Sequence, residues 1–272
     1  MGTPVDPAQL QSNFTDANNS LTAANTQLTY DEDKLYGNSV TGAKGDLYTM
    51  EHSTGEAQLA AIFAVCGDLM ALTGDKLKVA SSQLSVMSSL SAQVAAIQQQ
   101  NSACLSDVQG GNSANLPADS MAMAQLLHNF QGDLASCAPW MDAKNSPYAS
   151  VYTDLTTTTN NLVSTLTNGS TTSAATTPLD TLAAQIQIEY SQYQSFNYAG
   201  SSTPTYTPST QENETLQLIG TLVTTTSALS KQGTITMNAE TQAYTTFIQS
   251  NEFDLKKVMS LQDYQVAKQT AN

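Results

Sequence analysis

Arginine is absent from this chain: all nine of its basic residues are lysine. Arginine is the side chain that grips phosphate and carboxylate in a rigid two-pronged fork, so its loss removes the usual chemistry of nucleotide enzymes and nucleic-acid binders. Charge of either sign is scarce. Charged residues make up 12% of the 272, with a net charge of −14, about half the share usual in a soluble domain. Ser, Thr, Asn and Gln fill the gap, giving a surface that repels DNA, RNA and anionic lipid and forms few ion pairs.

Aromatic residues are few, at 7%, within a moderate hydrophobic content of 40%. The core is therefore expected to be thin seams of Leu, Val, Ile, Ala and Met, as in a bundle or coiled coil. Cysteine occurs three times, as Cys66, Cys104 and Cys137, without CxxC spacing. That pattern is neither a disulfide framework nor a zinc site. On one straight helix Cys66 and Cys104 stand about 57 Å apart at 1.5 Å per residue, beyond any internal bridge.

Long apolar runs are also lacking. The most apolar stretch, Leu59 to Leu72, is interrupted by Gly67 and Asp68 and reads as too short to span a bilayer. Residues 1–15 lack the basic start and apolar run of a signal peptide. The expected location is outside the cell or on its surface, by a route without a cleaved signal, or alternatively the cytoplasm.

What is present is helical periodicity. Asp6-Pro7, Ser146-Pro147 and Thr177-Pro178 each set a capping side chain before a proline at the first helical position. Pro117, with Asn115 two residues earlier, is a weaker instance. A heptad seam of Leu10, Phe14, Ala17, Leu21, Ala24, Leu28 and Leu35 fills residues 1–36, interrupted by Asp31. A Gly-rich loop is expected over 37–55.

The region 56–109 predicts a long rod helix. One heptad column runs Phe63, Met70, Leu77, Leu84, Ser91, Gln98, Leu105, and a second runs Cys66, Thr73, Ala80, Met87, Val94, Asn101, Val108. A third, Ile62, Leu69, Leu90, Ile97 and Cys104, widens the stripe enough to serve two neighbours. Ala60, Ala64, Gly67, Ala71 and Gly74 line one side, where another helix could approach or the glycines could kink the rod. Gln98 and Asn101 either fix register through a polar partner or mark an exposed turn.

Shorter helices are expected over 117–137, 147–166 and 178–198, forming a middle helical subdomain at 117–198. The segment 211–272 carries an eleven-residue repeat: Leu222, Gly233, Tyr244, Leu255, Val266 in one column and Thr226, Met237, Ile248, Met259 in another. Unbroken, that helix would be about 90 Å long. The predicted fold is all-α, an elongated bundle or coiled coil whose two long helices share a seam, as one domain.

Chemical motifs are sparse. His52 and His128, the two histidines, sit in no recognisable catalytic setting, and the expected role of each is an exposed or hydrogen-bonded side chain. Asp31, Glu32 and Asp33 lack the ligand spacing of an EF-hand and read as a solvated break in the first helix. The N-x-Ser/Thr patterns at Asn13, Asn18, Asn168 and Asn213 are ordinary in so polar a sequence. No catalytic, cofactor-binding or metal-ligating residue is assigned, and no cofactor is expected.

The order of elements is a polar N-terminus, a long central helix and a C-terminal helix that pairs with it. This layout resembles type III secretion filament and tip proteins, with no shared motif and no residue role carried over. The resemblance implies a non-enzymatic subunit of a bacterial secretion or appendage system, working by self-assembly or through a protein partner; the missing arginine and the acidic charge exclude nucleic acid and nucleotide as partners and disfavour a membrane. The candidate interface is Met87, Leu90, Val94 and Ile97, where two apolar columns run side by side. Alternatives are a pore-forming or membrane-active protein that inserts Leu59 to Leu72 and, least favoured, a cofactor-free enzyme.

Overall fold

The computed structural model describes residues 6–110, 114–195 and 208–250. The protein is all-α. Two of its helices are long: α3, Gly55–Gln109, has 55 residues and α8, Thr210–Ser250, has 41. The others are α1 (Pro7–Tyr36), α2 (Asp46–His52), α4 (Leu116–Ser136), α5 (Ala138–Met141), α6 (Ala149–Leu166) and α7 (Leu179–Ser195).

Helix α1 starts where its cap directs. Asp6 Oδ1 accepts hydrogen bonds from the N–H groups of Ala8 at 3.0 Å and Gln9 at 3.3 Å, satisfying donors that the first turn leaves open. Ser146 accepts from Tyr148 N–H at 3.2 Å, and α6 begins at Ala149. Thr177 behaves differently: its hydroxyl donates to the Ser173 carbonyl at 2.7 Å, so Pro178 precedes α7 without a threonine cap.

The expected Gly-rich loop is corrected. It holds a two-residue antiparallel hairpin, β1 (Gly37–Asn38) with β2 (Ala43–Lys44), followed by α2. Asn38 Oδ1 accepts from the N–H groups of Val40 and Thr41, both at 2.9 Å, and so closes the turn. Gly37 has φ +90, and a Cβ on Gly45 would strike the Leu35 and Gly37 backbone, so both positions need glycine. The acidic cluster is corrected too. Helix α1 runs unbroken through Asp31, which is buried, and Asp33 accepts from Asn38 Nδ2.

The chain divides into two compact units. The first comprises Met1–Thr15 with Met87–Gln232. In it α4 packs chiefly on α7, with α6 against both. Met123, Leu127 and Phe130 of α4, Leu155 and Leu162 of α6, and Leu182, Ile186 and Tyr190 of α7 are fully buried. The second unit comprises Asp16–Val86 with Gly233–Asn272. One cluster there gathers Leu35, Val65 and Leu72 with Leu28, Leu47, Met50 and Leu69. Another joins Tyr244 and Ile248 to Met70, Leu77 and Phe247.

Both long helices pass through their glycines without a break. In the first unit Ser91 Oγ meets Ser230 Oγ at 3.2 Å. In the second, a Cβ on Gly74 would lie 3.5 Å from the Tyr244 ring. Helices α3 and α8 thus meet within each unit. The repeat residues Leu222, Gly233, Tyr244, Thr226 and Ile248 are buried. Leu255, Met259 and Val266 lie outside the described residues.

Candidate interaction surface

Met87, Leu90, Val94 and Ile97 are each at most 1% exposed within one chain. The apolar columns that meet there are covered by the protein's own helices, so this conformation offers no partner surface at those four positions. The same packing decides between the seam polars. Asn101 is buried and accepts a 2.6 Å hydrogen bond from the Tyr190 hydroxyl of α7, whereas Gln98 is exposed.

Exposed apolar side chains concentrate elsewhere. Among the described residues eleven large hydrophobic side chains are exposed, and six of them fall between residues 30 and 62: Tyr30, Tyr36, Val40, Tyr48, Leu59 and Ile62. All six belong to the second unit. Val40, at the hairpin tip, is 93% exposed, and Leu59, near the start of α3, is 52% exposed. Tyr48 stacks on His52 with ring centroids 3.8 Å apart, and the Lys44 ammonium lies 4.6 Å from the centre of the Tyr48 ring. This arrangement holds the tyrosine flat at low entropic cost.

The apolar start of α3 also corrects an expectation. Gly67 and Asp68 do not interrupt the helix, and α3 contains an 18-residue stretch of mean hydropathy 1.5, enough by length and composition to cross a membrane. Only 22% of that stretch is buried, which separates it from an ordinary core helix.

The second unit also holds buried acids. Asp68 and Asp75, seven residues apart in one heptad column, are 2% and 3% exposed. Lys34 of α1 holds Asp68 Oδ1, and Lys78 holds Asp75 Oδ1 at 3.1 Å. Burial pushes both carboxyls up, and the neighbouring acids Asp46 and Asp31 add to the rise against the pull of Lys34 and Lys78. Burial also acts on Asp31, but the Asp75 carboxyl, the Gln27 amide and the charges of Lys34 and Lys78 outweigh it and hold Asp31 below the usual range.

The first unit has its own buried acids. Asp133 of α4 accepts from Gln93 of α3 at 2.6 Å and from Gln11 of α1 at 2.8 Å, and burial raises its carboxyl despite both bonds. Asp107 is raised by burial and by Asp119, and Glu189 by burial. Sequence reasoning missed these groups. Asp31 carried a usable signal, since it sits at the seam step between Leu28 and Leu35.

The remaining candidates are structural in their surroundings. His128 Nδ1 lies 2.9 Å from the Ala174 carbonyl, and His52 Nδ1 2.8 Å from the Tyr48 carbonyl. Burial pushes the Cys104 and Cys137 thiols up to about 12, far from the thiolate form that reacts; Cys66 is half-buried. A shallow groove on α7 is lined by Ala184, Gln187, Ile188, Ser191 and Gln192. Its one hydroxyl, Ser191, donates to the Gln187 carbonyl at 2.7 Å. Among the described residues no group of three or more His, Cys, Asp or Glu side chains is placed to hold a metal. No family model, curated protein or solved structure matches the chain.

Proposed function

We infer that this protein is a non-enzymatic helical subunit that self-assembles through the second unit, using the exposed apolar side chains between Tyr30 and Ile62. One contrast carries the reading: the inner seam at Met87, Leu90, Val94 and Ile97 is filled from within, while six large apolar side chains face solvent in one short stretch. Exposed apolar clusters on soluble proteins mark contact sites, because covering them releases ordered water. The layout of the chain suits a filament, tip or adaptor subunit of a bacterial export or appendage system.

The test is molar mass by light scattering across a concentration series, for the wild type and for the double variant Leu59→Lys/Ile62→Lys. Regular oligomers that grow with concentration and vanish in the variant are expected. A wild type that stays monomeric at every concentration contradicts the reading.

A second reading has one observation in its favour, the 18-residue apolar stretch of α3, of which only 22% is buried. Laid against a bilayer, that face would make the protein membrane-active. The charge of −14 works against binding to anionic lipid, so neutral liposomes loaded with dye are the fitting probe. Dye release that Leu59→Lys/Ile62→Lys abolishes would favour this reading over assembly.

A further inference from the structure

Among the described residues, the most exposed large apolar side chain of the second unit is Val40, at 93%, and that of the first unit is Ile188, at 60%. The two differ in shape. Val40 stands at the tip of the β1–β2 hairpin, where Asn38 Oδ1 ties down the N–H groups of Val40 and Thr41, and the Gly42 N–H donates to the Asn38 carbonyl at 2.9 Å. It is a knob held rigid before any contact is made, so docking costs it little conformational entropy.

Ile188 lines the groove on α7. The lining residues Ala184, Gln187, Ile188, Ser191 and Gln192 recur at i, i+3, i+4, i+7 and i+8, which is one face of a helix. The opposite face, with Leu182, Ile186, Tyr190 and Tyr193, is buried in the core of the first unit. The small side chains of Ala184 and Ser191 leave room beside Ile188 for an apolar knob, and the two glutamines add amide groups that can hydrogen-bond an incoming turn.

Charge decides which surface suits the knob. Lys44, four residues past the tip, is exposed and makes no ion pair among the described residues; its ammonium rests over the Tyr48 ring. Two hairpins meeting tip to tip would set Lys44 against Lys44, and like charges across an interface are costly. Helix α7 instead carries Asp180 and Glu189 and no lysine. Asp180 is exposed and lies four residues before Ala184, on the groove's side of the helix. The wider distribution agrees, since of the nine lysines only Lys144 and Lys231 fall in the first unit.

We propose that the Val40 hairpin of one copy seats in the α7 groove of a second copy, with Lys44 beside Asp180 of that copy. The proposal rests on the self-assembly reading and names the surface that receives the second unit. Knob and groove are different surfaces, so the contact is head-to-tail. Each bound copy still presents a knob or a groove to the next, and copies add in series, as a ring or a filament, rather than stopping at a pair.

The experiment is light scattering across concentration on the full chain, for the wild type, Val40→Asp, Ile188→Asp and an equimolar mixture of the two variants. Both positions are exposed, so neither substitution should unfold the protein, which circular dichroism checks; Ala184→Glu closes the same groove if Ile188→Asp folds poorly. Each variant alone should need about tenfold more protein, or beyond, to assemble. The mixture should form a 1:1 dimer that does not grow, because the Ile188→Asp copy keeps its knob and the Val40→Asp copy keeps its groove. A wild type that never assembles removes the self-assembly reading and this proposal with it. If the wild type assembles and Ile188→Asp assembles equally well, or if the mixture stays monomeric, the proposal is overturned while the self-assembly reading stands.

Discussion

Asn101 and Gln98 stand three residues apart on α3. Both are polar residues in predicted seam columns, yet only Asn101 has a buried partner, the Tyr190 hydroxyl. Sequence offers two readings of these positions, a polar partner or an exposed turn, but cannot choose between them, because the choice depends on where α7 lands. Replacing Tyr190 by Phe leaves Asn101 Oδ1 buried without its donor, and the expected loss is about 1–3 kcal/mol in urea unfolding. Leu90→Ala at the filled seam should cost about 2–5 kcal/mol, while Leu59→Ala on the exposed stretch should change stability by less than about 0.5 kcal/mol. Equal losses at the two positions would show that the exposed stretch is covered in solution. Asp31 shows the limit of reading by residue type. Beside Glu32 and Asp33 it looked like solvated charge, but helical phase places its side chain inward.

Helix α3 was legible almost to the residue, since three apolar columns at heptad spacing leave no other regular structure. The hairpin and α2 were not, because two-residue strands carry no alternation and a seven-residue helix holds too few turns for a pattern. The glycines of α3 can now be told apart. Gly74 lies under the Tyr244 ring, so α8 does approach closely there, whereas a Cβ on Gly67 would meet nothing within 4 Å. Gly67→Ala should therefore raise stability by about 0.5–1 kcal/mol through helix propensity alone, read as a higher midpoint in thermal unfolding. At the head of α1, Asp6→Ala removes the cap and should cost about 1 kcal/mol.

On the scale of the whole chain, the all-α class was legible from periodicity, but the division into units was not. Each unit is discontinuous, because α1, α3 and α8 contribute residues to both, and no composition shift marks a boundary inside a continuous helix. Charge acts at this scale as well. With −14 net and carboxyls raised by burial in both units, global stability should fall from mildly acidic to alkaline pH. Added salt should restore part of it by screening self-repulsion. Differential scanning calorimetry across pH and salt checks both signs.

The central claim is that the protein works by assembling through the exposed apolar side chains of its second unit. Light scattering across concentration, with the wild type beside Leu59→Lys/Ile62→Lys, tests it most directly. The account predicts discrete oligomers for the wild type and a folded monomer for the variant. A wild type that remains monomeric throughout, or a variant that assembles equally well, would contradict it.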